Sequence, residues 1–81
     1  SLALEQVTNA EAALAAASKR AAALHEHRAL IEKAFRLGER GLEEVLRANA
    51  RTHEADVAVR QQRVELGLAH AQLNQARGIL P

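Results

Sequence analysis

Cysteine, methionine, tryptophan and tyrosine are all absent from these 81 residues, and phenylalanine and proline occur once each, as Phe35 and Pro81. Without cysteine there is no disulfide and no thiolate metal site. Without aromatics there is little to fill a wide globular core, which normally draws on several rings and many branched aliphatics. No apolar run approaches 18 residues, so no segment reads as a membrane-spanning helix. A surplus of one charge sign is also missing. Eleven basic and ten acidic residues leave a formal charge of +1, and they are interspersed rather than gathered into the basic stripe that nucleic acid selects.

What remains is 48% hydrophobic, and most of that is alanine. Alanine contributes little buried area but lets helices approach closely. A composition rich in Ala, Leu, Glu and Arg, with helical periodicity, points to long helices or a coiled coil. Residues 2 to 37 contain neither Pro nor Gly. Their apolar positions form two columns, Val7, Leu14, Ala21, Arg28, Phe35 and Ala3, Ala10, Ala17, Leu24, Ile31. The columns alternate by three and four, as a heptad seam does. A second stripe lies roughly 100° away on the helical wheel: Leu2, Asn9, Ala16, Ala23, Leu30, Leu37. Residues 42 to 79 repeat the habit, with Val45, Thr52, Val59, Leu66, Leu73 beside Ala48, Ala55, Gln62, Ala69, Ala76. A separate column, Ala50, Val57, Val64, Ala71, lies on nearly the opposite side. A two-helix hairpin needs one apolar stripe per helix. Two stripes per helix suit a helix wedged between two neighbours, and they predict self-association.

The strongest helix breakers stand at the midpoint, in "AFRLGERGLEEVLRANA", residues 34 to 50. Gly38 suits a left-handed position after a helix ending near Leu37, and Gly41 loosens the far side of the turn. Arg36 before the bend and Glu43 and Glu44 after it carry the signs that the helix ends favour. The expected fold is therefore all-α: a long antiparallel two-helix coiled-coil hairpin, with helices over about 2–37 and 42–79 and a turn at about 38–41. Each arm spans about 55 Å at about 1.5 Å per residue. Gly67, inside the second helix, reads as a point of close packing against a neighbour. Gly78, before Ile79, Leu80 and Pro81, reads as that helix's end signal. The chain opens at Ser1 already in a helical pattern, as a segment of a larger protein would.

Chemistry is thin. Ser1 and Ser18 are the only serines, and neither has a base and an orienting partner at a credible spacing. No phosphate loop or pair of catalytic carboxylates is present, so the chain reads as a non-enzyme that calls for no cofactor. Four histidines raise a metal reading. With the bend centred near residue 39 or 40, His27 falls opposite His53, and His25 opposite Glu54 or Ala55, so that His25, His27, His53 and Glu54 gather within reach of a zinc or copper ion. Against this, His25 and His27 point about 200° apart on one helix. Histidines in solvent or in interhelical hydrogen bonds are the plainer reading, with His27 and His53 the weak metal candidates. His70 has no evident companion. Arg28 and Arg60 lie near the seams, where an arginine ordinarily extends its head toward an interhelical carboxylate; a contact at the closed end of a pore is the sharper alternative for Arg28.

The midpoint also resembles the turn in the periplasmic hairpins of TolC-like outer-membrane efflux proteins, through Phe35, Gly38, Glu39, Leu42, Glu44, Val45, Leu46 and Ala48. Phe35 stands where that family often has Tyr, and Arg40-Gly41 replaces a more usual apolar residue followed by Ser or Thr. The likeness extends along both arms to "LAHAQLNQARGILP", residues 68 to 81. It implies one hairpin of the α-helical barrel of a trimeric channel, in the periplasm of a Gram-negative bacterium. Such channels export drugs or metal ions with a periplasmic adaptor and an inner-membrane pump. It further implies that the turn, Gly38, Glu39, Arg40, Gly41 and Leu42, is the surface an adaptor contacts. The coiled-coil hairpin of an adaptor is an alternative, weakened because the Arg-x-x-x-Leu and Ser pattern of adaptor tips does not follow Arg36 or Arg40. A generic helical interaction module and a small metal-binding helical protein are the others.

Overall fold

The computed structural model describes residues 1–78. It contains two α-helices, α1 (Leu2–Arg36) and α2 (Leu42–Ala76), and no strand among the described residues. They run antiparallel along an extended body of 60 × 17 × 13 Å. Helix α1 begins with a cap, because Ser1 Oγ accepts a hydrogen bond from the Leu4 amide at 3.2 Å. It ends at Arg36, one residue before the expected Leu37. The Gly38 amide donates to Phe35 O at 3.0 Å and the Glu39 amide to Ala34 O at 2.8 Å. That pair of bonds turns the chain out of the helix and requires a left-handed residue between its donors. Gly38 supplies it, at φ 78°.

Helix α2 starts after Gly41, an extended N-cap at φ −90° and ψ 165° that offers no side-chain hydrogen bond. It stops at Ala76, because Gly78 also turns left-handed, at φ 74°, and donates to Gln75 O at 3.0 Å. The expected end at residue 79 and the Ile79-Leu80-Pro81 signal lie outside the described residues.

The predicted seam columns are the interface. From Ala3 to Ile31 on α1, and from Val45 to Leu73 on α2, every member is buried or half-buried. Val7, Ala69 and Leu73 form one buried cluster far from the bend, and Ala21, Ala55 and Val59 form another nearer the middle. Alanine at these contacts draws the axes close, and Ala55 keeps only 1% of its surface. Among the described residues no larger side chain is fully enclosed. The seam is narrow, as a composition poor in aromatics demands.

The second columns are not used. Leu2, Asn9, Ala16, Ala23, Leu30 and Leu37 are all exposed, as are Ala50, Val64 and Ala71, while Val57 is half-buried. Gly67 is exposed as well, and a Cβ placed on it would meet nothing within 4 Å. The expected close packing at Gly67 does not occur in this hairpin, because the residue lies on the face of α2 turned away from α1.

Candidate functional site

Among the described residues, polar side chains pair with one another or across the helices at the tip and at the middle of the hairpin. At the tip, Arg40 donates to Glu44 at 3.1 Å and Arg47 to Glu43 at 2.8 Å. Both pairs are four residues apart and exposed. Glu43 and Glu44 lie in the first turn of α2, and Lys33 and Arg36 in the last turn of α1, so the charges complement the helix ends. Of the proposed contact residues, Gly38, Glu39, Arg40, Gly41 and Leu42 are all exposed and form one continuous surface across the bend. Its apolar part extends further than those five residues. Leu37, Leu42 and Leu46 are 64%, 55% and 58% exposed, and Phe35 is 41% exposed. Exposed leucines thus lie beside the two ion pairs at this end. The leucines on either side of the glycines were the available signal for this.

At mid-length, two side chains bond across the helices. His25 Nε2 lies 2.9 and 3.0 Å from the two carboxylate oxygens of Asp56. The Thr52 hydroxyl, on the buried seam, lies 2.8 Å from Ala48 O in its own helix and 3.3 Å from Leu24 O in the other. A hydroxyl has one proton, so the two carbonyls share it.

The histidine pairing differs from the one expected. His25 meets Asp56 rather than Glu54 or Ala55. His27 lies in a groove with Ile31, Glu44, Arg47, Ala48 and Arg51, not with His53. The reason is angular: Arg51 and His53 project about 200° apart on α2. Since Arg51 shares the groove with His27, His53 is on the other flank. The four residues of the suggested cluster are therefore divided between two sides. Among the described residues no three His, Cys, Asp or Glu side chains come together to hold a metal ion.

Arg28 also departs from expectation. It sits half-buried on the seam, and its Nε is buried with no hydrogen-bond partner. Arg60 is exposed. Neither forms an ion pair with a carboxylate across the helices among the described residues. Thr52 was legible as a seam residue but not as a cross-helix donor, since its reach to Leu24 O depends on how closely the alanines let the backbones approach.

None of the described helices is long and apolar enough to cross a membrane. No family model, no curated protein and no solved structure matches this chain.

Proposed function

We propose that this hairpin is a stave of the periplasmic helical barrel of a TolC-like outer-membrane efflux channel. The channel it helps to build exports drugs or metal ions together with a periplasmic adaptor and an inner-membrane pump. The observation that carries the reading is the contrast between columns. The first apolar column of each helix is consumed in the seam, while the second remains in water, with Leu30 67% and Val64 61% exposed. A hairpin that works alone has no use for those residues, whereas a stave between two neighbours covers them. The turn sequence around Phe35, Gly38, Glu39 and Leu42 and the pair of 35-residue arms support the same assignment. In this reading the exposed bend is the docking tip and the chain itself is structural, with no catalytic residue.

The test uses the full-length protein in a Gram-negative cell that depends on it for resistance to an exported drug or metal ion. The protein fractionates with the outer membrane. The double reversal of Glu39→Lys with Arg40→Glu lowers resistance several-fold while abundance in the outer membrane stays normal. Normal resistance at normal abundance would leave the turn as a chain reversal only. Recovery of the protein with the inner membrane instead would favour the adaptor hairpin.

A further inference from the structure

Two grooves open on one broad face of the hairpin. The groove near the bend is lined by His27, Glu44, Arg47 and Arg51, over Ile31 and Ala48. Its one carboxylate, on Glu44, is already bonded to Arg40. The groove at the far end is lined by amides, from Gln6 and Gln72 among others, by Leu68, and by a single charged residue, Glu65. Among the described residues neither Arg51 nor Glu65 forms an ion pair. The uncovered column Leu2, Asn9, Ala16, Ala23, Leu30, Leu37 borders the same face.

That face is symmetric about its middle. On α1, Ala16 and Ala23, Asn9 and Leu30, and Leu2 and Leu37 are equally spaced about a point between Lys19 and Arg20. On α2, Arg51 and Glu65 stand seven residues to either side of Ala58, and Glu44 and Gln72 stand fourteen. The two centres are level with each other. His27 shares one groove with Arg51, and Gln6 shares the other with Gln72, which sets Ala58 beside Arg20. A two-fold axis crossing the hairpin at that height lays each groove over the opposite groove of another copy.

We infer that a second copy of this chain covers this face, running in the opposite direction about that axis. Helix α2 then packs along α2 of the other copy, with Ala58 at the crossing, where a small residue permits close approach. Arg51 of each copy comes opposite Glu65 of the other, so each dimer gains two ion pairs. Leu68 of each copy enters the bend groove of the other, over Ala48 and the carbon stem of Arg47. Leu30 comes opposite Asn9, and Leu2 opposite Leu37, so exposed leucines leave water along the whole face. Arg20 meets its own copy at the axis, where its length lets the guanidinium turn out to solvent. Two copies with their bends together would instead set Arg51 of one against His27 of the other and leave Glu65 opposite Ala13. Charge therefore selects the antiparallel pair. The contact is the same surface on both copies, so it closes at two chains. The inference does not rest on the efflux assignment, which sets neighbouring hairpins with their bends at the same end.

The experiment places one spin label per copy on this cysteine-free chain, at Ala50→Cys or at Ala71→Cys. Both sites are exposed and lie off the proposed face. Distances between copies are read by double electron–electron resonance. In the antiparallel dimer the labels are offset along the long axis by about 24 Å at residue 50 and about 39 Å at residue 71, twice their rise from Ala58 at about 1.5 Å per residue. The second distance is therefore the longer. Sedimentation gives the dissociation constant. Arg51→Glu weakens the dimer about tenfold, because two attractive contacts become repulsive. Adding Glu65→Arg restores it, because each pair then has its signs exchanged. Circular dichroism of the dilute chains stays the same in both variants, since both residues are exposed. Equal distances at the two label sites overturn the inference, and are the result that parallel staves of a barrel give. A double variant as weak as Arg51→Glu overturns it too, as does a chain that stays monomeric at every concentration.

Discussion

Gly38 carries φ 78°, and a Cβ added to it would strike nothing. The cost of replacing it is therefore purely conformational. Gly38→Ala destabilises the hairpin by about 1 kcal/mol through the left-handed backbone alone, measured as a lowered midpoint in urea with an unchanged slope. Gly67 is the opposite case. It lies within α2 with helical neighbours on both sides, exposed and free of contacts. Glycine there only loosens the helix, so Gly67→Ala stabilises the isolated hairpin by about 1 kcal/mol, seen as a raised melting temperature. If Gly67 serves an approach by another helix, the same substitution leaves the hairpin more stable and the assembly weaker. A destabilised hairpin would mean that the exposed position is misplaced.

At the scale of the element, the seam separates two kinds of alanine. Ala55 keeps 1% of its surface between the helices, whereas Ala16 faces solvent. Ala55→Leu forces the axes apart and costs about 1–3 kcal/mol. Ala16→Leu changes the stability of a single hairpin by no more than about 0.5 kcal/mol. Thermal melts at low concentration check both; equal effects would show that the two columns are not distinguished as described. The position of the seam was legible because alternation by three and four survives even when the apolar residue is alanine. The bend was legible because Gly38 is flanked by charges of the sign each helix end favours. Two things were not. Phe35 belongs to the seam column but is 41% exposed, since beside the bend only the first turn of α2 faces it. The partners of the histidines also escaped. Facing across an antiparallel pair depends on which flank a residue occupies, and a one-residue error in register moves a side chain about 100° around the helix. Neglect of the flank set His27 against His53, which projects about 200° from Arg51, the residue His27 lies beside.

On the scale of the whole molecule, the narrow seam and the uncovered columns act together. The interface buries Val, Ala and Leu but no aromatic ring, so a single hairpin has little apolar burial to set against the ordering of two long helices. Meanwhile Leu2 and Leu30 on α1, Leu37 just after it and Val64 on α2 stay exposed, along faces that the partner helix does not reach. Contiguous apolar surface of this sort finds a partner. The chain therefore gains helicity and melting temperature as its concentration rises, and sedimentation shows dimers or larger species in step with that gain. Placing a charge on each unused column, Leu30→Glu with Val64→Glu, removes the association because each new carboxylate would have to leave water on contact. The same double variant leaves the seam untouched, so the dilute chain keeps the helicity of the dilute parent. This separates the two columns experimentally: association falls and intrinsic folding does not. A parent that sediments as a fully helical monomer at every concentration would remove the case for neighbours on both sides of the hairpin. With it would go the main support for a stave in a barrel of helices.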